Sequence, residues 1–597
     1  MECKEISELP DNLLIGGFLP KAKFNEIIAL AGFNSILLWS SSRSDVTAFV
    51  CLRGNCHAKV ENPRYLIISL GHISGCKQIG ENALREIEHY LLRRSNLPLS
   101  SFEGSFALIV VDKANSKMMI YRNIVGLPCI YYISAKKLTL FSDNISCLAR
   151  LVNTICPRLE VNHTQVPCHF LYGVTLRETL FKDIRRVMVG EQVVLTPQTS
   201  SRTQLLKISD MANSSITDCV ESLESVMKEI TAEYVKAYPD LVNMFSGGID
   251  SSYIQAHLGS SIRTFSVDLV HPCWEAEHEY ARSGSAFFKT DHTFVKVTES
   301  QYPGLLTETI SKAGLPPRNP NRALCYHLFK SIKEASRTVV CGMGGDCLFG
   351  LGLIREIDAA TLIDSIIPWK FFRQPLLSLL RSLYVRTNAH PLGLLIKVLQ
   401  LELHDFLSPK HPAHMAGIDY VRLKGVSEVF GHEEVARAVS SRQALTRLLG
   451  INGSLKQVVH SMALTITCPQ AISEQYFQLA SHVGLNILHP YLDSRMIKVV
   501  SSFRGDKRFP FGRVKSVIKH ALRKHVPKKL VRRKSGWELP VFEWMAEGGV
   551  LHPFVKDLKR SQFAGSTRDL IKMPNNLMWD LITFHLWLKQ FNLTECP

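Results

Sequence analysis

The string Met244-Phe245-Ser246-Gly247-Gly248-Ile249-Asp250-Ser251-Ser252 gathers the densest set of groups able to hold an anion. Gly247 and Gly248 let the backbone turn tightly and approach an anion with no Cβ in the way. With a strand before and a helix after, the N–H groups of the first helical turn face that anion, and the helix dipole supports it. Ser246, Ser251 and Ser252 add hydroxyl donors. Asp250 has two readings: it caps the helix, or it holds a magnesium ion against phosphate oxygens. No Gly-Lys-Ser/Thr follows, so this is not a Walker loop. A second glycine turn, Gly342-Met343-Gly344-Gly345-Asp346, ends another apolar run. Asp346 is either a turn-capping residue or a second carboxylate that joins Asp250 in neutralising a magnesium pyrophosphate.

These residues need a scaffold. The apolar spacing predicts strands over 241–245, 262–267 and 338–341, with helices over 219–234, from about 250, and over 277–288. Strands alternating with helices imply a parallel sheet, whose ligands collect at the strand C-termini. Both aspartates lie just past such ends. From 358 to 593 the spacing is mostly helical. The first third reads differently. Strands are expected over 65–70, 106–112, 117–122 and 192–195, with a helix over 82–93, as in an α+β domain. Thr, Ser, Gln and Asn dominate after Thr196, which places domains over 1–200 and 219–597 and a linker over 201–218.

At 597 residues the chain is long enough for two to four domains, and its 46% hydrophobic and 21% charged residues are a globular mixture. The net charge of +17 favours polyanionic ligands, or serves solubility. The N-terminus lacks a secretory pattern, and Lys370, Arg373, Arg381, Arg386 and Lys397 break the apolar stretch over 366–403. A cytoplasmic protein without membrane spans is expected. The 15 cysteines are scattered with no C-x-x-C pair, which fits reduced, buried thiols better than zinc.

The Ser246–Ser252 string resembles the signature of PP-loop ATP pyrophosphatases, and the wider pattern resembles the asparagine synthetase B superfamily over nearly the whole chain. Glu279-Tyr280-Ala281-Arg282, Thr290-Asp291-His292, His489-Pro490-Tyr491-Leu492-Asp493, Gly512-Arg513-Val514-Lys515 and Arg532-Arg533-Lys534-Ser535-Gly536 carry the resemblance in the synthetase part. Glu103-Gly104-Ser105-Phe106-Ala107, Arg122, Tyr131-Tyr132 and Thr179-Leu180-Phe181-Lys182-Asp183-Ile184 resemble the family's glutaminase domain. The resemblance implies an N-terminal Ntn-hydrolase-like α+β domain. An α/β PP-loop synthetase domain (adenine nucleotide α-hydrolase-like) with a large helical C-terminal part follows. It also implies ATP and Mg2+ as cofactors. Ser246, Gly247, Gly248, Asp250, Ser251, Ser252, Gly342, Gly344 and Gly345 would cradle ATP, Val267 would offer backbone contacts to adenine, and Asp250 and Asp346 would hold the metal. Lys534 matches the family's catalytic lysine, and Lys515 is placed to reach phosphate. Glu474 lies about where ring-closing relatives carry a carboxylate that accepts the amine proton or holds a peptide N-terminus; an ordinary helix-surface glutamate is the other reading.

The departures narrow the expectation. Glutamine-using relatives begin Met-Cys-Gly-Ile, so that Cys becomes the terminal nucleophile. Here Glu2 intervenes before Cys3, and a bulky charged second residue blocks Met removal. No glutamine hydrolysis is expected, which leaves the first domain a structural or docking role. Met343 stands where β-lactam synthetases carry Tyr and asparagine synthetases Glu, and it does neither acid/base nor carboxylate work. The Gly-x-Gly-Gly-Asp form followed by Leu348-Phe349-Gly350 looks more like lasso peptide cyclases. That resemblance implies a precursor peptide substrate, with a leader-binding protein and a cysteine protease as partners. A small-molecule amide ligase, a tRNA-modifying PP-loop enzyme and a non-catalytic binding protein stay open. The first would act on a free acid, the second would bind nucleic acid, and the third would turn over no ATP. His489 is expected to be packed or capping rather than catalytic, Trp537 and Trp544 to be core or lid anchors, and Cys341 and Cys347 to be structural thiols.

Overall fold

The computed structural model describes residues 9–20, 23–24, 35–40, 46–54, 57–75, 78–93, 99–124, 127–135, 138–155, 159–211, 216–350, 353–366, 370–387, 390–399, 401, 420–451, 454–503, 508–511, 513–531, 539–561 and 575–593. Two antiparallel sheets build the first domain. One runs Arg185–Arg186, Tyr131–Ala135, Leu138–Ser142, Leu13–Pro20, Val46–Arg53, Ser35–Ser40. The other runs Ser200–Gln204, Glu191–Leu195, Lys117–Arg122, Glu103–Asp112, Tyr65–Gly75, His57–Glu61, with Gln78–Ile79 beside Tyr65–Gly75. Side chains on a strand alternate between faces. Leu66, Ile68 and Leu70 therefore enter the space between the sheets with Leu14, Phe18 and Val50. Tyr65 and Ile67 turn the other way, onto Ala83, Leu84 and Ile87 of the helix Glu81–Leu92. Ile15 and Leu19 share a core with Ile145 and Leu148 of the helix Ile145–Ile155. Each such side chain, removed from water, contributes about 1.5–3 kcal/mol before chain entropy is subtracted.

Two differences from the sequence reading have local causes. The strand Leu13–Pro20 is not among those expected, because Gly16 and Gly17 break its apolar run; a Cβ on Gly16 would meet the Phe141 ring at 2.7 Å, so the glycine admits the ring of the neighbouring strand. The strand Ser200–Gln204 pairs with Glu191–Leu195, so the second sheet extends into the expected linker. The rest of that linker is not free: Ile208 and Met211 join a core with synthetase residues, and Ile216 N–H donates to Ser502 O at 2.7 Å.

The synthetase domain is built on a parallel sheet in the order His292–Val297, Thr264–Leu269, Val242–Met244, Thr338–Cys341, Asn486–Leu488. The chain starts in the middle strand, Val242–Met244, and adds Thr264–Leu269 and His292–Val297 on one side. It then returns to add Thr338–Cys341 and, much later, Asn486–Leu488 on the other. The order reverses between Val242–Met244 and Thr338–Cys341, which is where a crevice opens in such sheets. Helices dominate beyond it, including Leu353–Ile366, Lys370–Thr387, His432–Leu448, Glu474–His482 and Asn575–Gln590. Among the described residues, no helix is long and apolar enough to cross a membrane.

The domains are fastened by backbone as well as side chains. Asp11 and Asn12 N–H donate to His482 O and Ser481 O, both at 3.0 Å, and Gly104 N–H donates to Ser494 Oγ at 3.0 Å.

Candidate active site

The middle strand Val242–Met244 runs parallel to Thr338–Cys341 with Met244 opposite Cys341, so the turns that follow them leave the same edge of the sheet. At the first turn, Gly247 adopts a φ of 68°, and a Cβ there would lie 2.1 Å from Tyr280 O; only glycine fits. The helix Ile249–Leu258 then begins with Gly248 as its N-cap. Asp250 lies in the first turn and caps nothing, which removes its capping reading. Ser246 Oγ and Ser251 Oγ lie 3.2 Å apart, and Ser251 Oγ also donates to Gly248 O at 3.2 Å. Tyr491 Oη–H donates to Asp250 O at 2.8 Å, which gives the His489–Asp493 segment a physical role at this turn.

Between the turns lies a cleft of about 470 Å³, a volume ordinary for a small-molecule site. Ser246, Gly248, Asp250, Ser251, Gly342, Gly344 and Asp346 line it, as does Lys515. Lys515 Nζ lies 2.5 Å from Asp250 Oδ2 and 2.9 Å from Asp346 Oδ1, so one ammonium joins both acids. Lys515 is the αL residue before the short helix Ser516–Leu522. Burial works against its charge, but Asp250 and Asp346 outweigh it and push the ammonium pKa up. Burial pushes the Asp250 carboxyl up as well; Lys515 opposes this and Asp346 adds to it. Asp250 Oδ1 is buried with no hydrogen-bond partner, whereas the Asp346 side chain is 65% exposed. Two carboxylates with oxygen capacity to spare, at a glycine cradle, fit a hard cation such as magnesium. Gly345 completes the cradle: a Cβ there would meet Asp250 Oδ1 at 2.7 Å.

Three expectations need correction. Glu474 does not line the cleft and is not a surface residue. It is 1% exposed and ion-paired with Arg186 of the first domain, whose Nε lies 2.8 Å from Glu474 Oε1, and Tyr131 Oη–H donates to the same oxygen. Its carboxylate is held by these partners in the domain interface, away from the cleft lining. Val267 is buried away from the cleft and its carbonyl accepts from Trp274 Nε1 at 3.3 Å; Phe265 and Ser266 of the same strand line the cleft instead. Ser252 is buried behind the turn and does not reach the cleft, while Gly247 and Gly345 shape it through the backbone without lining it. Lys534, Trp537, Gly512, Glu2 and Cys3 lie outside the described residues.

The sequence reading missed Arg322, Arg355 and Tyr476 in the cleft wall. Arg322 stacks over the Tyr476 ring at 4.3 Å. Neither arginine sits in a recognisable string, so no local signal marks them. His489 and Trp544 are buried. Cys341 and Cys347 are buried thiols, as are Cys51, Cys129 and Cys168 of the first domain. Burial pushes the Cys51, Cys129 and Cys168 thiols up to about 12, so none of these three is an activated thiolate.

The asparagine synthase model matches residues 222–588, and a glutamine amidotransferase domain model matches residues 91–205. Together with the sheet and its cleft, these define an ATP-dependent carbon–nitrogen ligase, at that general level, behind an amidotransferase-like Ntn-type domain. With more than half its length matched, the chain belongs to the asparagine synthase family. No curated protein matches the chain. A solved structure of the allosteric regulatory enzyme of purine biosynthesis is similar over 50% of this chain and 76% of that one, at 10% identity and a TM-score of 0.21.

Proposed function

We propose that this ligase closes a macrolactam within a precursor peptide. A side-chain carboxylate oxygen of the peptide attacks the α phosphorus of ATP. The bond to the β-phosphate oxygen breaks, and pyrophosphate leaves. The peptide's own α-amine then attacks the acyl carbon, AMP departs, and the amine gives up a proton. The net change in the peptide is the loss of one water.

The chain's residues act mainly by position and charge. The Ser246–Ser251 turn takes up phosphate oxygens with its backbone N–H groups and hydroxyls. Asp250 and Asp346 would hold magnesium, which supplies charge neutralisation for the departing pyrophosphate. Lys515, freed from the two acids, follows the pyrophosphate, and Lys534 is assigned the oxyanion of the amine attack. Folding one substrate so that its carboxyl and amine meet gives a large effective molarity.

The observation that carries this reading is the apolar Met343 on the cleft wall, which offers neither a carboxylate nor an acid/base group there. The amine is therefore assigned to the substrate. A leader-binding protein and a cysteine protease are the partners such a pathway would use. A second reading, a ligase for a small free acid, draws on the modest cleft and on Arg322 and Arg355 in its wall.

Mass spectrometry decides between them. The full chain with ATP and magnesium is given peptides bearing a free α-amine and an acidic side chain. Loss of one water from a peptide with stoichiometric AMP supports ring closure; AMP formed only with small acids and ammonium, or product formation unchanged in Asp250→Ala, overturns it.

A further inference from the structure

The helix Ile249–Leu258 starts at the cleft with Asp250 and carries His257 in its last turn. There it packs against the helix Cys219–Ala237 and against Ser516–Leu522, the short helix that Lys515 opens. Three side chains meet at this junction: Glu224, His257 and His525. Their donor atoms all lie within 4.8 Å of one another. Glu224 Oε2 is 2.7 Å from His525 Nε2 and 3.6 Å from His257 Nε2.

His257 carries the argument further. Its side chain is only 7% exposed, and its Nε2, the atom nearest Glu224, makes no hydrogen bond. A buried ring nitrogen without a hydrogen bond, its nearest oxygen Glu224 Oε2 at 3.6 Å, is placed to share a cation with that carboxylate. The His257 and His525 rings are inclined at 61° with centroids 5.0 Å apart; they do not stack. Tyr253 Oη–H donates to Glu224 Oε1 at 2.8 Å, which fixes the carboxylate and leaves Oε2 toward the two imidazoles.

We propose that Glu224, His257 and His525 form a site for a zinc-like divalent ion. Two imidazole nitrogens and one carboxylate oxygen are the borderline donor set zinc takes, with water as a fourth ligand. Donors about 2.0–2.2 Å from a tetrahedral ion lie roughly 3.3–3.6 Å apart, so the ion replaces the Glu224–His525 hydrogen bond after side-chain shifts on the order of 1 Å. The ion ties the far end of the Asp250 helix to the turn just after the Lys515 helix.

The test uses the full chain, equilibrated with micromolar zinc, dialysed and analysed for metal by mass spectrometry. About one tightly held zinc per chain is expected, falling by one equivalent in His257→Ala and in His525→Gln. Because His525 is partly exposed, His525→Gln keeps the test decisive if His257→Ala fails to fold. Cobalt in place of zinc should give d–d absorption without a thiolate charge-transfer band. No retained zinc in the unaltered chain, equal retention in the folded variants, or a thiolate band assigning the metal to cysteines would overturn the proposal.

Discussion

Asp250 and Asp346, 96 positions apart in sequence, share one cation: the Lys515 ammonium lies within 3 Å of a carboxylate oxygen from each. Without magnesium this bridge is what makes two facing acids tolerable in a cleft, since like charges so close disfavour joint ionisation. Lys515→Met removes it. Magnesium should raise the melting temperature of that variant more than that of the unaltered chain. ATP-dependent pyrophosphate release should fall about 10²–10³-fold, the loss typical for one preorganised charge. Equal magnesium shifts in both proteins would refute the bridge.

Gly345→Ala tests the cradle. The added Cβ would press on Asp250 Oδ1 at 2.7 Å, with the helix backbone leaving little room to retreat. Pyrophosphate release should drop at least tenfold and its magnesium requirement should rise, while circular dichroism stays unchanged. A variant with unaltered magnesium dependence would show that Asp250 does not face this turn.

Glu474 tests the domain interface. Removing one partner of a buried ion pair costs about 3–5 kcal/mol, because the other charge is left alone. Glu474→Ala should lower the urea midpoint accordingly. Replacing Glu474 and Arg186 together by methionine should cost much less. Pyrophosphate release per folded molecule should stay within about twofold of normal in the double variant, since neither residue reaches the cleft.

Asp143 supplies a pH signature. Burial pushes its carboxyl from 3.8 up to about 7, against the Leu14 N–H that donates to it at 2.9 Å. The folded protein therefore keeps a proton that the unfolded chain releases. This group's contribution is fully present below pH 3.8 and is lost as pH rises toward 7. The loss is on the order of 4 kcal/mol. Thermal melts of Asp143→Asn across that range should show a flatter profile than the parent; parallel profiles would place the titration elsewhere.

Much of the scaffold was readable because hydrophobic spacing reports burial directly. Val242–Met244, Thr264–Leu269 and Thr338–Cys341 are short apolar runs between helical patterns, and all three lie in the parallel sheet. His292–Val297 escaped notice because this edge strand keeps His292, Thr293 and Lys296 among its apolar residues. The glycine turns announced themselves, since few structures other than an anion cradle require paired glycines between strand and helix. The Lys515 bridge did not, because it joins residues 265 positions apart in sequence. Glu474 misled for the same reason: its position in sequence suggested the site, but the buried Arg186 that claims it comes from the other domain. Arg322 owes its place to stacking on Tyr476, a contact no local pattern records.

The last strand of the parallel sheet, Asn486–Leu488, reaches its neighbour Thr338–Cys341 only after more than 140 residues of intervening chain, and residues 481–482 just before it hold Asp11 and Asn12. During synthesis the ribosome must therefore deliver more than four-fifths of the polypeptide before the parallel sheet can close. Until then the Thr338–Cys341 edge of the parallel sheet stays open to other chains, so production of this protein is most exposed to misassembly late in translation, when chaperones that shield strand edges would matter most.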